Sequence, residues 1–127
     1  MFLKQYYLGC LAHASYLIAD EESATGIVVD PQRDIQEYLV DAQRLGIHIR
    51  HVFLTHFHAD FLAGHLELRD ACGADIRMGL RAEAEYPLIK MKDADALEFP
   101  GLRLQVLETP GHTIESISIL LFDLKKD

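Results

Sequence analysis

Two imidazoles and a carboxylate fall within five residues in Thr55-His56-Phe57-His58-Ala59-Asp60-Phe61-Leu62-Ala63-Gly64-His65, directly after the apolar run Val52-Phe53-Leu54. An extended backbone sends alternate side chains to the same face, so His56, His58 and Asp60 can converge on one point while Phe57 and Ala59 face elsewhere. Histidine and carboxylate groups are the ordinary ligands of zinc and iron, so the chemistry this grouping suits is metal binding. Any one of these residues taken alone reads as a solvated loop residue at a strand end. It is the clustering that argues for a metal.

A second segment, Glu108-Thr109-Pro110-Gly111-His112-Thr113, again sets a histidine in a tight turn after an apolar strand, here Leu102 to Leu107. Proline fixes one backbone angle and glycine can adopt the positive one beside it, so the turn can aim His112 back at the strand ends. A ligand distant in sequence commonly joins a metal site in this way.

The pairing of His56-x-His58-x-Asp60 with Thr109-Pro110-Gly111-His112-Thr113 resembles the metallo-β-lactamase superfamily, and the resemblance covers nearly the whole chain. Within that superfamily the wording of the two motifs, the second running on to Ile114-Glu115-Ser116, is most similar to persulfide dioxygenases and to proteins in which such a domain precedes rhodanese domains. The resemblance implies an α/β fold, the αββα sandwich, with His56, His58 and His112 as candidate metal ligands and Asp60 as candidate catalytic carboxylate. The two-metal hydrolases of the superfamily usually carry His directly after the motif Asp, whereas this chain has Phe61. Phenylalanine cannot bind a metal, so a mononuclear centre is expected. In the dioxygenase branch the resemblance implies iron held by His56, His112 and an aspartate from later in the chain, a face that leaves positions open for substrate and oxygen. His58 and Asp60 then orient ligands or bind water.

At 127 residues the chain has roughly half the length that a complete domain of this kind needs within the usual domain range. No Asp in it matches the later aspartate. The expectation is one unit over residues 1–127, the N-terminal half of the sandwich, a mixed sheet with helices on one face and incomplete at the C-terminus. Half of its residues are hydrophobic and 25% are charged, which fits a globular piece with a core. A formal charge of −8 argues against nucleic acid or an anionic membrane surface as partner, because phosphates are bound by clustered Lys and Arg. No apolar run reaches membrane-spanning length and the N-terminus lacks a signal-peptide pattern, so a cytoplasmic location is expected. Cys10 and Cys72 form no Cys-x-x-Cys pair and suit reduced, buried thiols.

Elements able to position the motifs follow from periodicity. Strands are expected at Phe2 to Leu8, His13 to Ala19 and Thr25 to Asp30, the last two joined by the acidic turn from Asp20 to Ser23. A helix should begin near Asp34, whose carboxylate can take free backbone N–H groups, bury Ile35, Tyr38, Leu39, Ala42 and Leu45, and end at Gly46. Ile49 to Leu54 delivers the metal motif at its carboxyl end, Leu62 to Cys72 is a helix stopped by Gly73, and Ile76 to Met78 is a strand. Arg81 to Glu85 reads as a short helix, Lys90 to Asp95 as a polar loop, and Leu102 to Leu107 and Ile117 to Phe122 as strands. The last strand is apolar on both alternating faces, as for a strand buried on two sides, and an open edge there would favour a homodimer. His13, His48 and His51 read as surface or hydrogen-bonded histidines, and His65 as either helix packing or pocket lining.

Two activities follow from the resemblance: oxidation of a thiol persulfide by a non-haem Fe(II) centre, or hydrolysis of a thioester at Zn(II) held by His56, His58 and His112. A half-domain with no chemistry of its own is the third reading.

Overall fold

Strand β2 (His13–Asp20) becomes continuously buried after Tyr16, and β3 (Thr25–Val29) is buried at every position. That is the signature of strands covered on both faces. The computed structural model describes residues 1–9, 13–56, 64–111 and 115–125. Its further elements are β1 (Phe2–Leu8), α1 (Gln36–Leu45), β4 (His48–Phe53), α2 (His65–Cys72), β5 (Asp75–Gly79), β6 (Ile89–Met91), β7 (Ala96–Glu98), β8 (Leu102–Glu108) and β9 (Ile117–Asp123). Strands β1 to β6 form one sheet in chain order, and β7 to β9 form a second.

The larger sheet is mixed, as expected: β1, β2 and β3 pair antiparallel, and β3 through β6 pair parallel. Alternation along its strands feeds two cores. Leu17, Val28 and Val52 face the helices with Tyr38, Ala42 and Leu68. Ile18, Ile27, Val29 and Phe53 face the second sheet and meet Leu102, Leu104, Val106 and Ile117. The layers among the described residues are therefore helices, sheet, sheet, three of the four layers of the expected αββα sandwich.

Helix α1 buries Tyr38 and Ala42, and Gly46 closes it at φ 69° with its N–H on the Gln43 carbonyl. Asp34 accepts the Gln36 N–H at 3.1 Å, so the capping carboxylate acts just before the helix. The Tyr38 hydroxyl accepts the Gln32 N–H at 2.8 Å and meets Ser15 Oγ at 2.7 Å, tying the loop after β3 to the core. Asp41 is buried on the same helix and balanced by Lys4, Arg44 and the Tyr6 hydroxyl. Those partners hold its carboxyl below the usual range, the Lys4 and Tyr6 hydrogen bonds most of all.

Three expectations change. Arg81 to Glu85 forms no helix, since the chain turns at Leu80 and Arg81 and then runs without regular structure to Leu88. Ile89, Lys90 and Met91 form β6 rather than loop, because Met91 is drawn into the inter-sheet core while Lys90 stays in solvent. The strand Ala96–Glu98 is too short for its periodicity to show. Strand β9 is buried on one side only: Ile117, Ile119 and Leu121 turn inward, while Leu120 and Phe122 are 42% and 41% exposed. Among the described residues β9 pairs only with β8, which leaves its other edge open.

Candidate metal centre

Asp30 stands where β3 ends, with its backbone in the left-handed region at φ 51°, which Asp tolerates better than most residues. Its N–H donates to the Phe53 carbonyl at 2.8 Å, aligning it with the end of β4. Its carboxylate then takes both donors of Thr55, the backbone N–H at 2.8 Å and the hydroxyl at 2.6 Å. With that hydroxyl hydrogen committed to Asp30, the Thr55 oxygen is left to accept from His56 Nδ1, 3.0 Å away. This assigns the proton to Nδ1 and the lone pair to Nε2. A metal-binding histidine is normally held in this manner, its far nitrogen donating to an oxygen that fixes ring and tautomer. The donor set at His56 therefore fits a metal ion bound through Nε2. Behind this relay, His13 Nε2 donates to the Asp30 carbonyl at 2.7 Å.

The exit of the first motif is fixed against the same loop. Gly64 donates its N–H to the Pro31 carbonyl at 3.3 Å, and a Cβ there would collide with the Gln32 carbonyl and Ile35. Only glycine admits that approach. Thr55 and Gly64, the described residues on either side of the first motif, are thus both anchored on residues 30–35.

The second motif is placed by backbone contacts. The Ile117 N–H donates to the Thr55 carbonyl at 2.8 Å, and the Thr109 N–H to the Ser116 carbonyl at 3.0 Å, which brings the two flanks of the second motif together. A Cβ on Gly79, at the end of β5, would strike the Glu115 carbonyl, so the turn rests directly on that glycine. The flanks of His112 are therefore brought beside the flanks of His56, at the carboxyl ends of the parallel strands where α/β sheets gather ligands. A groove of about 420 Å³ opens next to Asp30 and Thr55, between Tyr16, Ile18, Ile119 and Leu121.

Of the predicted site residues, His56 is placed by these contacts. His58, Asp60, Phe61 and His112 lie outside the described residues, as does Cys10. Among the described residues no three His, Cys, Asp or Glu side chains gather as a metal would require. His48 and His51 are hydrogen-bonded as expected, His48 Nε2 to the Cys72 carbonyl at 3.0 Å and His51 Nδ1 accepting from Arg77 Nε at 3.2 Å. Burial, with the Arg77 guanidinium beside it, pushes the His51 imidazole down to about 4. Cys72 is a free thiol, pushed up by burial. His65 packs its ring against Tyr86 at 5.1 Å. Asp30 and Gly79 were not singled out from sequence. Asp30 carried a usable signal, since it ends an apolar strand directly before Pro31, while Gly79 carried none.

Among the described residues no helix is long and apolar enough to cross a membrane. Residues 8–125 match the family model of the Metallo-beta-lactamase superfamily, a metal-dependent group. A hydroxyacylglutathione hydrolase of Albidiferax ferrireducens is 35% identical over 109 residues, covering 86% of this chain and 42% of the relative. The mitochondrial persulfide dioxygenase ETHE1 of Bos taurus is 32% identical over 117 residues, covering 86% of this chain and 43% of the relative. A crystal structure of a metallo-beta-lactamase from Staphylococcus aureus superimposes with a TM-score of 0.89 at 36% identity, over 97% of this chain and 39% of that one. The chain thus spans about two fifths of the length of the curated relatives it matches.

Proposed function

The chain belongs to the metallo-beta-lactamase superfamily, and from that premise we propose that it carries the ligand-bearing half of a mononuclear iron centre that oxidises a thiol persulfide, such as glutathione persulfide, with O₂ to sulfite. The observation that carries this reading is Phe61, which stands where a second metal would need a histidine. A relative named as a persulfide dioxygenase supports it. In this reading His56 and His112 are the ligands this chain supplies, and His58 and Asp60 orient ligands or bind water. The Asp30–Thr55 relay fixes the His56 ring so that Nε2 presents its lone pair. Phe61 offers no donor atom to a second ion. Ferrous iron bound there would supply adjacent positions for the persulfide sulfur and for O₂.

A zinc-dependent thioester hydrolase is the second reading, favoured by relatives named as hydroxyacylglutathione hydrolases. There His56, His58 and His112 would hold Zn²⁺, which lowers the pKa of its bound water towards neutrality.

Metal analysis of protein purified without added metal, with persulfide-dependent oxygen uptake and thioester cleavage measured in parallel, separates these readings. Iron together with oxygen uptake is the expected result. Zinc with thioester cleavage would overturn it in favour of the hydrolase, and a chain that stays empty at saturating metal would make this a half-domain without chemistry of its own.

A further inference from the structure

The described flanks of the two arms both come to rest on one stretch of chain, the end of β5 at Gly79 and the connection that follows it to Leu88. The second arm meets it at Gly79, where the Glu115 backbone approaches closer than any side chain would allow. The first arm meets it one residue after its own glycine anchor. Gly64 is pressed onto the Gln32 carbonyl, and the adjacent His65, the first residue of α2, lays its half-buried ring against half-buried Tyr86 with centroids 5.1 Å apart and planes inclined by 50°. Helix α2 cannot slide to relieve this contact, because Leu68 is fully buried in the helix-side core and its N–H is bonded to the Gly64 carbonyl at 3.0 Å.

We propose that His65 and Tyr86 form a positioning clamp: the ring contact braces the exit of the first metal-binding arm against the connection that also supports the second, and so sets the spacing of the two ligand groups. The proposal rests on the metal-site reading above. The Tyr86 ring is the working part, since the contact is between ring faces and edges, which a phenyl group can reproduce. Neither residue touches the metal in this account. Their effect reaches it through the backbone of the arm, much as outer-shell partners commonly change metal affinity.

Co²⁺ titration of the whole chain, followed by its visible absorption and by competition with a chelator, tests the clamp with no need for turnover. Tyr86→Phe should bind within about twofold of wild type, while Tyr86→Ala and His65→Ala should each lose about tenfold in affinity and alter the Co²⁺ band shape. The double variant should be scarcely worse than either single one, because both remove the same contact. Circular dichroism and thermal midpoints establish that the variants are folded, and Tyr86→Leu, which keeps apolar volume without a ring, replaces the alanine if that variant does not fold. Ring-less variants that bind as wild type, additive losses in the double variant, or a phenylalanine variant as weak as the alanine would each overturn the clamp while leaving the metal site standing. A wild-type chain that takes up no Co²⁺ would overturn both.

Discussion

The entry of the first arm of the candidate metal site and the second arm are held by different means. The first arm, from Thr55 to Gly64, is fixed at its entry by a carboxylate: Asp30 takes two hydrogen bonds from Thr55 and thereby orients His56. The second arm, from Thr109 to Ser116, is located by backbone contacts, the Thr55–Ile117 hydrogen bond and the bare approach of Glu115 to Gly79, beside a hydroxyl contact of Thr109 with Ser118 at 3.1 Å. A side-chain anchor can set the angle of an imidazole, because it bonds to the residue next to the ring. A backbone anchor sets only where the turn lies. The first arm should therefore be sensitive to the chemistry of its anchor, and the second to its volume.

The most severe way to break the comparison is to remove a ligand from either arm. His56→Ala and His112→Ala should each abolish stoichiometric metal binding by elemental analysis, and wild-type metal content in both would show the site assignment to be wrong. Next comes the chemical anchor. Asp30→Asn keeps a residue that tolerates the left-handed backbone but replaces a charge-assisted acceptor, so metal affinity should fall by about 10- to 100-fold with the fold retained. An asparagine variant with unchanged affinity would mean that the Thr55 relay does not orient His56. The steric anchor should respond to a single methyl group: Gly79→Ala should cost about 1–3 kcal/mol in denaturant unfolding, as overpacking does, and weaken metal binding as a consequence. If Gly79→Ala is neutral in stability, the second arm does not rest on that glycine.

The smallest expected effect lies away from the arms, at His51. Its folded value, about 4, is below the ordinary 6.5, so the neutral ring stabilises the fold fully above 6.5 and that contribution is lost as pH falls towards 4. His51→Asn, which can still accept from Arg77, should flatten the decline of thermal midpoint over that window while leaving metal affinity near pH 7 unchanged. An identical acid decline in the variant would assign the loss to other groups.

The sequence made the first arm easier to read than the second for the same physical reason. His56, His58 and Asp60 stand at period two after an apolar strand, a pattern visible without any tertiary information. Asp30 looks like an ordinary strand terminus until Phe53 and Thr55 are seen beside it. Gly79 is more hidden still, because its function is to be absent in volume where Glu115 passes, and a sequence does not record what lies across a gap. The strands of the larger sheet were legible because most are long and apolar, and both helices end on glycines in the left-handed conformation, as their composition suggested. Apart from β9, whose outer face is open, the misreadings fell between β5 and β8, where strands of three residues are too short to show a period and the Arg81 to Glu85 stretch has helix-forming residues but buries only Ala82.

The hydrogen bond from Ile117 to the Thr55 carbonyl joins the six-stranded sheet to the three-stranded one. A metal ion gripped by both arms would sit at that same seam and act as a rivet between two sheets that form from separate stretches of the chain. Ordering of the site then waits on docking of the sheets, the contact of longest sequence separation and so the slowest to close. Hydrogen exchange should register the rivet directly. With metal bound, amides of β8 and β9 should exchange in step with those of β3 and β4; with metal stripped, the smaller sheet should open first, as a unit of its own.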